Sequence, residues 1–114
     1  MHLMGRDAGQ VTLLDAVIIS ATSYATHSPV DVSDYSGKTI YVQSSGDVTI
    51  YVQGSYDGTN WHEMVDESDT SRTWNCNNEK VYFGVDDYLR YIRILVHNAT
   101  AAAITVTVVM DMVV

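Results

Sequence analysis

The sequence contains a single cysteine, a single proline and only six basic residues among 114. One cysteine cannot form an intrachain disulfide, so the fold does not depend on an oxidising compartment. Cys76 is followed by Asn-Asn-Glu at residues 77–79, which offers no positive charge that would activate the thiol. We therefore expect Cys76 to be a buried small hydrophobic residue.

The shortage of basic residues limits the possible partners. Six lysines and arginines stand against fourteen acidic residues, which gives a formal net charge of −8, and no two basic residues are adjacent. Proteins that bind nucleic acid or anionic lipid need clustered positive charge. We expect neither as a partner, and the negative charge favours solubility in a protein made in many copies.

A long apolar run is also lacking. The start of the chain has no apolar core typical of a signal peptide, and the apolar run at 101–110 is rich in threonine and is followed by Asp111. A membrane-spanning helix needs about 20 predominantly apolar residues. We therefore expect no membrane partner, and the alternation in this run favours a strand.

What the sequence does contain is strand and turn chemistry. Short runs of Val, Ile, Thr and Tyr are separated by Gly, Asn, Asp and Ser, and helical periodicity is nearly absent. The clearest runs, residues 38–44 and 48–56, alternate apolar and polar side chains, and residues 45–47 between them predict a hairpin connection. The apolar positions that share one face are Ile40, Val42, Val48, Ile50 and Val52.

Further runs at 11–20, 61–65, 81–85, 89–97 and 104–114, with weaker ones at 30–33 and 72–76, bring the total to about eight strands. We expect an all-β fold, an antiparallel β-sandwich of the jelly-roll or Ig-like kind, with a closed barrel as the alternative. The length fits a single domain at 11–114, preceded by an N-terminal arm at 1–10.

Residue patterns for catalysis or metal binding are weak. Serine, aspartate and four histidines are present, but no Gly-x-Ser-x-Gly pattern positions a nucleophile. One cysteine and scattered histidines do not give zinc-ligand spacing. Acidic loops at 66–69 and 86–87 lack the spacing of a calcium-binding loop. We predict no catalytic residues, no metal, no cofactor and no enzymatic activity.

The aromatic residues indicate a binding surface. Tyr41 and Tyr51 fall on the polar side of the alternation, where we expect them to be cross-strand neighbours, and Trp74 has loop-like surroundings. Such residues bury well against a partner protein or stack on sugars, although tyrosine is also an ordinary strand residue. The C-terminus stays apolar, which favours a covered edge. The predicted interface residues are Tyr41, Tyr51, Trp74, Met110, Met112 and Val114.

One segment resembles a known family. Residues 52–61 read Val-Gln-Gly-Ser-Tyr-Asp-Gly-Thr-Asn-Trp, which resembles the Gly-Ser-x-Asp-Gly-x-x-Trp hairpin of small β-sandwich proteins of tailed bacteriophages. Residues 88–98 and 104–108 resemble the strands that follow in such proteins, so the similarity covers about residues 38–114. In this pattern Asp57-Gly58 makes the turn and Trp61 anchors the base of the hairpin.

The resemblance implies a virion component, of the capsid decoration, head-fibre or tail accessory type. We expect a capsid decoration protein that binds the outside of the shell in many copies, as a homo-oligomer and preferably a trimer. Its partner would be the major capsid protein or another virion protein, and its location the capsid surface after synthesis in the host cytoplasm. The alternatives are a carbohydrate- or receptor-binding module and a non-viral filament or surface subunit.

Overall fold

The computed structural model of the protein describes residues 8–114. These residues form ten β-strands and no helix, so none of their elements is a helix long and apolar enough to cross a membrane. The strands are β1 (Ala8–Ile19), β2 (Ser23–Ala25), β3 (Val30–Asp31), β4 (Gly37–Ser44), β5 (Asp47–Ser55), β6 (His62–Glu63), β7 (Thr73–Asn77), β8 (Lys80–Val85), β9 (Tyr91–Asn98) and β10 (Ile104–Val113).

The strands pair into two antiparallel sheets. The first sheet has the order β1-β10-β4-β8, and the second has β9 and β5 at its centre, with β2 and β3 beside β9 and with β6 and β7 beside β5. The predicted all-β antiparallel sandwich is confirmed. The strands number ten rather than about eight. β2, β3 and β6 are only two or three residues long and are too short to show an alternation.

The core lies between β4 and β10 of the first sheet and β5 and β9 of the second. Alternate residues of these four strands are buried, because successive side chains of a strand point to opposite faces. Cys76 on β7 is fully buried in this core, as predicted. Burial of these apolar side chains provides most of the drive for folding.

The connection between β4 and β5 differs from the predicted hairpin. The two strands belong to different sheets, so the short turn at 45–46 carries the chain across the sandwich. Ser44 Oγ donates to the Gly46 carbonyl (2.7 Å), and the Ser45 N–H donates to the Thr105 carbonyl of the first sheet (3.0 Å). A Cβ on Gly46 would lie 2.9 Å from Ile104 Cδ1, so a larger residue here would force the Ile104 side chain to shift. The alternation could not distinguish the two arrangements, because both strands bury their apolar face whether they pair within one sheet or lie in facing sheets.

The predicted turn at Asp57-Gly58 is confirmed as a hairpin that joins β5 to β6. Gly58 has a φ of +79°, in the region that favours glycine. The Asp57 carboxylate accepts hydrogen bonds from the backbone N–H groups of Asn60 (2.8 Å) and Thr59 (2.9 Å). These bonds fix the turn through one of its own side chains. They also hold the pKa of Asp57 well below its usual range.

The edge strand β1 pairs with β10 but not in continuous register. The register shifts on either side of Leu14, and nearby Ala16 has a φ of +49° and donates its N–H to Thr107 Oγ1 (3.0 Å). Such bulges interrupt an edge that would otherwise pair with another chain. Of the predicted arm at 1–10, residues 8–10 already belong to β1, and the rest lies outside the described residues.

Candidate functional site

The six residues predicted to form an interface do not share one surface. Met110 and Met112 are buried between the sheets, contrary to the expectation that they contact a partner. β10 is an inner strand, and its register places Met110 opposite Ile40 of β4, so the side chains on that face fill the core. Val114, just beyond β10, is exposed.

Tyr41 and Tyr51 are not cross-strand neighbours, contrary to prediction. Tyr41 lies on β4 of the first sheet and Tyr51 on β5 of the second, and each side chain points away from the core. The two rings therefore lie on opposite outer faces of the sandwich. Tyr41 is exposed, whereas Tyr51 is half-buried.

Trp74 is half-buried on β7, where it acts as a packing residue. Its ring stacks on Phe83 of β8 with a centroid separation of 4.1 Å and an interplanar angle of 9°. The Arg72 guanidinium lies 5.1 Å from the Trp74 ring. Because β7 and β8 belong to different sheets, this stack closes the core where the two sheets meet.

The outer face of the first sheet carries an exposed pair of tyrosines. Tyr41 on β4 and Tyr82 on β8 are register partners, 43% and 71% exposed, with ring centroids 5.7 Å apart. Val109 of β10 pairs with Tyr41 from the other side, so these three residues form a row across three strands. We call the outward surface of β4, β8 and β10 the tyrosine face. Sequence reasoning missed Tyr82, although β8 shows the same alternation as β4.

The tyrosine face has no net charge, in a chain whose net charge is −8. Its outward residues include only Lys80 and Asp111 as charged groups, and Asp111 already accepts a hydrogen bond from Gln10 (2.8 Å). With a rise of about 3.4 Å per residue and strands about 4.8 Å apart, the first sheet offers an area of about 500 Å². If a partner covers this area with an equal area of its own, the total buried surface is about 1,000 Å², which is the lower limit for a specific interface.

Part of the outer face of the second sheet carries a network of its own side chains. Arg93 Nε donates to Gln53 Oε1, and Gln53 Nε2 donates to Glu63 Oε1 (2.8 Å). The Arg93 guanidinium also lies 4.4 Å from the Trp61 ring. Trp61 is therefore half-buried against the outside of the sheet. The sequence had suggested instead that it anchors the base of the hairpin in the core.

A groove of about 490 Å³ lies between the β5–β6 hairpin and the loop that leads into β9. We call it the end groove. Its apolar lining includes Val52, Met64 and Leu89, and Tyr56 and Tyr88 are exposed beside it. Sequence reasoning did not single out this set, because its members come from segments that are distant in the chain.

His27 completes the edge of the second sheet between β2 and β3. The Ile94 N–H of β9 donates to His27 Nε2 (2.9 Å), and Thr26 Oγ1 donates to the Ile94 carbonyl (2.9 Å). Two side chains thus replace the backbone of an edge strand. Burial lowers the pKa of His27 below its usual 6.5, and the positive charge of Arg93 lowers it further. The hydrogen bond to the Ser28 carbonyl raises it, but by less than burial lowers it. An Nε2 that accepts a hydrogen bond belongs to a neutral imidazole.

The acidic loop at 66–69 satisfies part of its own backbone. Asp66 Oδ1 accepts hydrogen bonds from the N–H groups of Ser68 (2.9 Å) and Thr70 (3.1 Å), which folds the loop on itself. Within residues 8–114, no three His, Cys, Asp or Glu side chains converge in a way that could hold a metal ion.

Comparisons with known proteins identify the fold. No family model matches the sequence, and no curated protein matches it. The PBSX exported protein XepA, which is phage-derived, has a similar crystal structure with a TM-score of 0.73 and 13% sequence identity over 91% of this chain. The chain spans only 36% of XepA.

Two further crystal structures match the whole chain. The SPBc2 prophage-derived protein YomS has a TM-score of 0.60 and 18% identity, and 99% of its length is covered. PirA has a TM-score of 0.52 and 10% identity, with 97% of its length covered. At these identities the likeness establishes a shared β-sandwich fold.

Proposed function

We propose that this chain is a structural protein of a phage virion, and specifically a capsid decoration protein that binds the outside of the shell in many copies. The observation that carries the proposal is the tyrosine face, an exposed aromatic surface without net charge on an otherwise acidic domain. The prophage-derived protein YomS and the PBSX protein XepA, which have this fold, support a phage origin.

The tyrosine face is the proposed contact with the major capsid protein. Tyrosines are frequent among the residues that dominate binding energy, because a large ring loses water while few rotamers are frozen. Tyr82 and Tyr41 are the expected anchors, and Val109 extends the apolar area between them and β1. The remaining surface is acidic, which keeps unbound copies apart in solution.

We expect the bound form to be a homotrimer. An area of about 1,000 Å² gives weak attachment for one copy. Linking three copies raises the apparent affinity, because the second and third contacts form at high effective concentration. Val114, which is exposed after β10, is the predicted interface residue that we assign to contact between copies.

The proposal includes no catalysis. Within the described residues, no histidine ring forms a hydrogen bond to a serine hydroxyl or an aspartate carboxylate, which is the arrangement that would activate a nucleophile. His27, the most constrained histidine, uses Nε2 to bind backbone and lies at a sheet edge.

Co-sedimentation with empty shells produced from the genome that encodes the chain tests this proposal. We expect saturable binding by the wild-type protein, and a loss of about tenfold or more in affinity for Tyr82→Ser. Tyr24→Ser is the matched control, because Tyr24 is also exposed but lies on the second sheet. Absence of shell binding, or equal effects of the two variants, would contradict the proposal. Light scattering measures whether the free protein is a trimer.

A further inference from the structure

The end groove has the dimensions and lining of a small-molecule site. Its volume of about 490 Å³ falls within the range typical of ligand pockets. Val52 at its base is buried, while Met64 and Leu89 are half-buried and present apolar surface. A Cβ on Gly54 would lie 2.8 Å from Leu89 Cδ2. Glycine at this position therefore lets Leu89 lie directly against β5 and shapes the groove.

Two exposed tyrosine rings beside the groove are held in place. Tyr88 is 75% exposed, yet its hydroxyl donates a hydrogen bond of 2.7 Å to the Ser33 carbonyl. Tyr56 is 65% exposed and its ring lies 5.8 Å from that of His62. An exposed ring that is already fixed loses little further freedom when a ligand stacks on it, which favours binding.

Polar groups of both kinds line the same groove. Arg90 supplies donors, Asp87 supplies a carboxylate and His62 supplies a ring nitrogen that donates or accepts. A ligand with several neighbouring hydroxyl groups, each able to donate and accept, matches such a set.

We propose that the end groove binds a neutral carbohydrate, with a sugar ring stacked on Tyr88 or Tyr56 and its hydroxyls bonded to Asp87, His62 and Arg90. Asp87 among the lining residues disfavours an anionic ligand, and Arg90 beside it disfavours a strongly cationic one. An extended peptide would need a sheet edge for backbone pairing. β6 at this edge has only two residues, which is too little to support an added strand. This function is separate from shell binding, since it uses residues outside the tyrosine face.

The test is a glycan array of neutral and acidic oligosaccharides, followed by NMR titration of ¹⁵N-labelled protein with the neutral sugars that bind. We expect binding of neutral glycans with Kd of about 1 mM or tighter and shift changes confined to the end groove. Tyr88→Ala should weaken binding about tenfold or more. Tyr82→Ala is the matched control, because Tyr82 is 71% exposed but lies on the tyrosine face. It should leave the affinity unchanged.

Tyr56→Ala provides a second variant whose result decides the question if Tyr88→Ala disturbs the fold. The proposal is overturned if no neutral glycan binds, if only acidic glycans or peptides shift the groove resonances, or if Tyr82→Ala weakens sugar binding as much as the groove variants do. Shell binding of Tyr88→Ala should equal that of the wild type. Failure here therefore remains distinguishable from failure of the proposed virion role.

Discussion

Replacing the buried Asn98 with alanine should be the most damaging polar substitution in the described residues. Asn98 ends β9 and has no exposed surface. Its Nδ2 donates to the carbonyls of Ala102 (2.7 Å), Ile19 (3.0 Å) and Ser20 (3.2 Å). Its Oδ1 accepts from both N–H (2.9 Å) and Oγ1 (2.7 Å) of Thr100. One side chain thus ties the β9–β10 turn to the end of β1.

The expected loss follows from these bonds. The Asn98 amide has two hydrogens for its three carbonyl acceptors, so roughly four of these bonds exist at one time. Each net hydrogen bond contributes about 1 kcal/mol, so Asn98→Ala should lower the free energy of unfolding by about 4 kcal/mol. That is a large part of the roughly 5–15 kcal/mol typical of a domain. Asn98→Asp should be at least as harmful, because a carboxylate oxygen would then face carbonyl oxygens in place of an amide group.

Urea denaturation followed by the fluorescence of Trp61 and Trp74 measures the effect. With an m-value of about 1.5 kcal/mol per molar, a loss of about 4 kcal/mol moves the midpoint down by about 2.7 M. Asn75→Ala is the matched control, since Asn75 is exposed on β7. It should change stability by no more than about 0.5 kcal/mol. A midpoint shift below about 0.5 M for Asn98→Ala would refute the reasoning.

Three further predictions concern titratable groups. Because the pKa of His27 lies below its usual 6.5 in the folded protein, the unfolded chain binds the proton more readily. The free energy of unfolding should therefore fall as the pH drops below about 6.5. Urea midpoints should show this fall in the wild type and in the exposed-site control His62→Gln, and a less steep fall in His27→Gln. Lys38→Met should raise the urea midpoint, because Lys38 is fully buried and, within residues 8–114, its Nζ has only the Asp87 carbonyl as acceptor (2.8 Å). An unchanged or lower midpoint would contradict this. Asp57→Ala should lower the urea midpoint at pH 7. In the wild type, the amide resonances of Thr59 and Asn60 should persist at pH 3, because the pKa of Asp57 is depressed and its carboxylate still accepts their hydrogen bonds.

Local patterns predicted the individual strands well. The alternation of β4, β5, β9 and β10 marked the residues that the structure buries, because the period of two is a property of the strand backbone itself. The Asp57-Gly58 turn was equally predictable, since its hydrogen bonds join residues within three positions of one another. The burial of Cys76 followed from its chemistry and surroundings.

Partner choice between strands was not predictable from these patterns. The alternation of β4 and β5 is compatible with a hairpin, yet the strands face one another across the core. For the same reason Tyr41 and Tyr51 were expected side by side and lie on opposite faces. Tyr41 instead meets Tyr82, which is 41 positions away in the sequence. Trp74 was expected near a loop surface, and its stack on Phe83 depends on how the two sheets meet.

By itself, the sequence determined the all-β class, the inward and outward sides of its main strands, the tight turn after β5 and the acidic charge that disfavours nucleic acid. These properties depend on neighbours in the chain or on composition. Only the tertiary structure decided which outward residues form the tyrosine face, which segments build the end groove and why Met110 and Met112 are buried. These features depend on pairing between distant strands, and many pairings bury the same apolar residues equally well.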